Sequence, residues 1–128
     1  MAGTLTTTYS ETRKIKKVVT NWTSDASGDA TTNYLRMSGE ILRVGFAPST
    51  DSAPSSNYDV VINDVEGFDV LNGCGANLSA SVKAQYFPAM VDHLVGYSIP
   101  VAFDGILSVA VSNAGNATKG KIILHIKE

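Results

Sequence analysis

A hydrophobic period of two residues runs through most of this chain and restricts it to sheet structure. In residues 39–47, Leu42, Val44 and Phe46 fall on one side and Arg43 on the other. In residues 57–64, Tyr58, Val60 and Ile62 alternate with Asp59 and Asn63. Near the C-terminus, Tyr97, Ile99, Val101 and Phe103 stay in step, as do Leu107, Val109 and Val111, and then Ile122, Leu124 and Ile126. One apolar side and one wet side is the signature of antiparallel sheet with a single buried face. A core of Leu42, Val44, Phe46, Val60, Ile62, Val101, Phe103, Val109, Leu124 and Ile126 follows from that phase.

Turn chemistry separates the runs. Asp104-Gly105 lies directly between two of them, and a two-residue Asp-Gly loop suits a hairpin, so 97–103 and 106–112 are expected to pair. Asn113-Ala114-Gly115-Asn116 has hairpin length as well. Glu66-Gly67 should turn the chain between 58–64 and 68–71. Residues 47–57, rich in Ser and Pro, read as a long loop of the kind that often makes contacts, and residues 24–30 as a Gly/Ser/Asp turn. Residues 15–23 and 31–38 are expected strands. A short helix is expected over 79–85, followed by a loop through Phe87-Pro88. Short strands with turns every 8–12 residues make a sandwich or barrel. The expectation is an all-β antiparallel β-sandwich of about eight strands, a jelly roll being one form of it. Residues 1–12 form an N-terminal arm or edge strand that the fold could do without, and 13–128 one sandwich domain.

The 128 residues suffice for one domain with its own core. Hydrophobic residues make up 44% and charged residues 17%, a globular balance. A net charge of −2 gives no general attraction to nucleic acid or anionic lipid. The single cysteine, Cys74, rules out an intrachain disulfide. No apolar stretch approaches the ~20 residues that span a bilayer, and the N-terminus lacks the pattern of a signal peptide. A chain made in a cytoplasm, without membrane attachment, is expected. The sequons at Asn21, Asn77 and Asn116 are therefore read as chance products of a Ser- and Thr-rich composition.

No set of catalytic roles can be assembled, so the chain is not expected to be an enzyme. His93 and His125 are the only histidines. His125 falls on the outward phase of the last strand, with Ile123 and Lys127, and reads as a surface residue. Cys74, between Gly73 and Gly75, reads as a small semi-buried thiol. One Cys and two His cannot close a structural zinc site. Asp59, Asp64, Glu66 and Asp69 lack the spacing of an EF-hand loop, and solvated turn carboxylates outweigh a weak calcium site. Gly73-Cys74-Gly75 has no following Lys to make a phosphate loop. No cofactor or metal is expected.

Arg13, Lys14, Lys16 and Lys17 place four of the ten Lys and Arg residues in one short segment. The plain reading is a strand entrance kept soluble and protected from edge pairing by its charge. The functional reading is a contact patch for an acidic partner. Only Tyr9 lies near enough to add base stacking, so nucleic acid is disfavoured.

Several segments carry a resemblance: Trp22-Thr23-Ser24-Asp25-Ala26-Ser27-Gly28-Asp29-Ala30, Gly39-Glu40-Ile41-Leu42-Arg43-Val44 and Asn57-Tyr58-Asp59-Val60-Val61-Ile62-Asn63-Asp64. The ending joins them, with Pro100-Val101-Ala102-Phe103-Asp104-Gly105-Ile106-Leu107 and Asn113-Ala114-Gly115-Asn116-Ala117. Together, from about residue 15 onward, they resemble the small β-sandwich virion proteins of tailed bacteriophages, of the head decoration or cement type. The resemblance implies a structural protein on the capsid exterior, made in the host cytoplasm. Its partner would be the major capsid protein, and it would self-associate as a dimer or trimer. It brings no catalytic residues, and residues 76–95 have no counterpart in it. A tail or head–tail connector subunit fits the same pattern. A non-catalytic β-sandwich carbohydrate-binding module fits less well, because most aromatics fall on inward positions.

Overall fold

The computed structural model describes residues 3–91 and 98–128. Its regular structure is entirely strand, and the described residues contain no helix. In chain order the strands are β1 (Thr4–Thr12), β2 (Ile15–Thr23), β3 (Ala30–Asn33), β4 (Met37–Pro48), β5 (Asp59–Asn63), β6 (Ala84–Tyr86), β7 (Ala89–Val91), β8 (Ser98–Gly105), β9 (Ser108–Ser112) and β10 (Lys119–Lys127). A seven-stranded sheet runs β1-β2-β10-β4-β8-β7, with β6 pairing the far half of β4 that β8 leaves free. The second sheet has three strands in the order β3-β9-β5. All pairings are antiparallel.

The two sheets face each other across one core. Val18 and Trp22 of β2, Val44 and Phe46 of β4, and Ile122, Leu124 and Ile126 of β10 are buried against Val60 and Ile62 of β5 and Val109 and Val111 of β9. Fully burying a side chain of this size is worth about 1.5–3 kcal/mol, so these strands dominate the stability. Two contacts join the layers: the Trp22 and Tyr58 rings lie 5.6 Å apart, and the Thr20 and Tyr34 hydroxyls share a 2.7 Å hydrogen bond. This is the expected antiparallel sandwich, although the strand order does not establish the jelly-roll form of it.

Most of the expected core is buried, with one exception in β4. Leu42 is only half-buried and Ile41 takes the inward place. The cause is a β-bulge: His125 pairs with Arg43, while the next residue, Ile126, pairs with Ile41. Leu42 is the extra residue, and the bulge reverses the phase of everything before it.

The Asp104-Gly105 hairpin does not form. β8 pairs with β4 and β7, whereas β9 pairs with β3 and β5 in the other sheet. Gly105 does take a positive φ of 117°, but it turns the chain across the sandwich rather than back along one sheet. The 113–116 turn is likewise an arch from β9 to β10 in the opposite sheet, held by Ala114 N–H to Gly28 O at 3.0 Å. Alternation assigns a residue to a face. When two inward faces meet, it does not say which sheet the strand belongs to.

Two local expectations are also corrected. Residues 79–85 form no helix; Ser79 Oγ accepts from the N–H groups of Ser81 and Val82, and the chain then enters β6. The strand expected over 31–38 breaks after Asn33, and Met37 already belongs to β4. The turn at 64–67 forms as expected, closed by Gly67 N–H to Asp64 O at 3.0 Å.

β1 is an edge strand rather than a loose arm. It pairs with β2 over its whole length, from Thr4↔Thr23 to Thr12↔Ile15. Leu5 and Tyr9 pack on the core, and the Tyr9 hydroxyl accepts from Leu35 N–H at 2.9 Å. The fold therefore uses this segment.

Candidate interaction surface

Arg13 and Lys14 form the two-residue turn of the β1–β2 hairpin, with Arg13 at a φ of 59°. Both are exposed. Lys16 shares its side of β2 with inward-facing Val18, and its Nζ lies 2.9 Å from Glu128 Oε1. Lys17 points to the opposite, outer side. The four cations of the sequence cluster are thus divided: three are presented to solvent and one is paired with the C-terminal residue.

The sheet adds partners that spacing along the chain does not reveal. Lys17 is the cross-strand neighbour of His125, which neighbours Arg43. These three make one row across the outer face of β2, β10 and β4. Arg43 Nη2 lies 3.5 Å from His125 Nε2. His125 is half-buried rather than fully exposed, and its Nδ1 is enclosed without a hydrogen-bond partner among the described residues. Burial, then the positive charges of Arg43 and Lys17, hold its pKa below the usual histidine value. The imidazole is neutral at neutral pH and contributes shape rather than charge.

The next row along the same face is Val19, Ile123 and Gly45, and beyond it lie Asn21, Lys121 and Ala47. An apolar strip is thereby flanked by cations at both ends. Gly45 leaves a groove of about 280 Å³ lined by Arg43, Ala47, Lys83, Gln85 and Ile123. The exposed side chains of Val82, Tyr86 and Phe87 belong to β6 or its flanks, beside this groove.

Charge is divided between the two layers. Segments 24–35, 49–78 and 108–118, which build the small sheet and its loops, contain no Lys or Arg. They hold Asp25, Asp29, Asp51, Asp59, Asp64, Glu66 and Asp69. Lys17, Lys119, Lys121, Lys127 and Arg43 stand on the large sheet with outward phase, where they outnumber Glu40 and Asp104. A molecule with a net charge of only −2 therefore has a basic face and an acidic face.

The acidic side chains mostly secure turns. Asp64 Oδ1 accepts from Glu66 and Phe68 N–H at 3.0 Å each. Asp69 Oδ1 accepts from Leu71 N–H and its Oδ2 from Gly73 N–H, both at 3.0 Å. Asp59 Oδ1 accepts from Asn77 N–H at 2.9 Å, and its Oδ2 from Asn113 Nδ2 at 2.7 Å. With Ile62 N–H to Asp69 Oδ1 at 3.4 Å, six backbone donors and one amide satisfy these three carboxylates. Among the described residues no three His, Cys, Asp or Glu side chains gather in a metal-holding group.

Cys74 is partly buried against the core, and burial together with the charge of Asp69 raises its pKa, which keeps it a thiol. It lies in the segment after β5, while His125 stands on the outer face of the large sheet. His93 and Tyr97 lie outside the described residues.

No model of a known protein family matches the chain, and no curated protein matches it.

Proposed function

We propose that the protein is a structural component of a tailed-phage virion, bound to the outside of the head across neighbouring coat subunits. The resemblance of its strand and turn segments to head decoration and cement proteins supplies the class. The observation that carries the reading on the molecule itself is the separation of charge between its two faces. A subunit that must lie one way up on a lattice gains orientation from a basic face laid on acidic coat residues and an acidic face turned to solvent. Arg13, Lys14 and Lys17 project from the hairpin end of that basic face and set register more than affinity. Beside them β1 has one edge that no strand among the described residues pairs, and a strand of a neighbouring subunit can add to it.

The test is co-sedimentation of the purified protein with coat shells that come from the same genome and lack it. Saturable binding that weakens with salt is the expected result. Changing Arg13, Lys14 and Lys17 to Ser should slow association and reduce its salt dependence. No binding to shells, with the protein recovered instead in purified tails, would replace this reading with a tail or connector subunit.

A further inference from the structure

Gly45 sits where nothing in the backbone asks for glycine. It lies inside β4, and it is not among the glycines with positive φ. A β-carbon built there would meet Ile123 and the Ala84 carbonyl only at 3.8–4.0 Å, ordinary contact. Glycine within a strand weakens it, and it often marks the close approach of another molecule. What the missing side chain creates is the groove beside Ile123, rimmed by Arg43 and Lys83. At about 280 Å³ it is smaller than the roughly 300–1,000 Å³ of small-molecule sites, and it suits one large side chain.

The opposite layer carries a matching projection. The turn 64–69 reads Asp64-Val65-Glu66-Gly67-Phe68-Asp69. Phe68 is 70% exposed and Val65 61% exposed, although both are large and apolar. Asp64 rigidifies the turn through its bonds to Glu66 and Phe68 N–H, so these side chains are presented from an ordered backbone. An exposed aromatic set among carboxylates complements an apolar groove set between cations.

We propose that the turn of one copy docks in the Gly45 groove of a second copy, with Phe68 as the anchor and Glu66 against Arg43 and Lys83. The groove lies on the outer face of the large sheet that the function proposed above lays on the coat, so this contact belongs to the free protein, goes beyond that reading, and competes with shell binding. The two surfaces lie on opposite layers of the molecule, so the contact is heterologous. It propagates head to tail, closing into a ring when the rotation per subunit permits. Nucleic acid is the competing occupant of a basic face with aromatics nearby. The acidic layer and the net charge of −2 disfavour a polyanion, and the Phe68 turn has no place in that alternative.

The test uses two variants of the full chain and sedimentation velocity over a concentration series. Gly45→Leu fills the groove and leaves the turn intact. The pair Glu66→Lys with Phe68→Ser removes the projection and leaves the groove intact. Circular dichroism confirms that each is folded, and Gly45→Ala, which barely fills the groove, serves as a milder control. Wild type should self-associate, and each variant alone should do so at least about tenfold more weakly, as for loss of a central anchor. An equal mixture of the two should form a one-to-one heterodimer, because one supplies the turn and the other the groove. A monomeric wild type, a Gly45→Leu chain that assembles like wild type, or variants that fail to complement each other would each overturn the proposal. Binding of single-stranded DNA by a monomeric wild type would assign the face to nucleic acid instead. Coat-shell binding is read separately, so loss of this contact and failure of the virion reading are distinguishable.

Discussion

The Trp22 ring occupies the space that a side chain on Gly120, its cross-strand partner, would need. The indole fills the core above β10 and reaches Tyr58 in the facing layer. Gly120→Ala must therefore displace the largest side chain of the core. The expected loss is ~1–3 kcal/mol, the usual range for overpacking. It should appear as a lower urea midpoint with an unchanged slope. A midpoint equal to wild type would show that the ring moves aside freely.

The hydrogen bond between Thr20 and Tyr34 lies inside the sandwich and joins the two layers. Burial pushes the Tyr34 hydroxyl pKa well above its ordinary value, so it is a neutral donor or acceptor at any working pH. Among the described residues, Tyr34→Phe leaves the Thr20 hydroxyl with only the 3.4 Å contact to Thr7. The expected loss is ~1–3 kcal/mol. Adding Thr20→Val should restore part of it, since removing both polar partners costs less than stranding one. Strict additivity of the two changes would mean that the bond contributes nothing.

In β4 the bulge makes Ile41 and Leu42 unequal. Ile41→Ala should cost ~2–5 kcal/mol, as for a fully buried aliphatic side chain. Leu42→Ala should cost less than about 1 kcal/mol, because Leu42 is the half-buried extra residue. Chemical denaturation of both variants measures the difference, and a larger loss at Leu42 would place the bulge elsewhere.

This pair also shows how far the sequence was legible. Val44, Phe46, Val60, Ile62, Val109, Leu124 and Ile126 could be assigned to the core because uninterrupted alternation fixes a face. At Leu42 the same rule misplaced a residue, since a bulge inserts one position without any mark in composition. Asp104-Gly105 carried a true turn signal, but turn chemistry is local, and the sheet each flanking strand joins is decided by distant partners. The candidate surface suffered most. Arg13, Lys14 and Lys17 were visible as a cluster, yet Lys16 was counted with them because its pairing with Glu128 spans the whole chain. The row Lys17, His125 and Arg43 exists only through strand register. A signal for the groove was present: Gly45 sits inside the alternating run of β4 without a turn to explain it.

His125 supplies a pH-dependent contribution of known sign. Its folded pKa lies below the ordinary 6.5, so the unfolded chain binds the proton more readily. Its stabilising contribution is complete above about pH 6.5 and is lost as pH falls through the lower, folded value. Urea midpoints measured between about pH 7.5 and 5 should fall for wild type and fall less steeply for His125→Gln. Relieving the repulsion with Lys17→Ser or Arg43→Ser should also reduce the slope. Identical slopes for wild type and His125→Gln would show that the imidazole is not held in its neutral form.

The most direct measurement of the central claim is imaging of coat shells from the same genome after incubation with the purified protein. A head-bound structural subunit predicts extra density at lattice-regular positions bridging neighbouring coat subunits. The large sheet should face the shell and the small, acidic sheet should face solvent. Bare shells at saturating protein would contradict the account, and so would density with the acidic sheet against the coat.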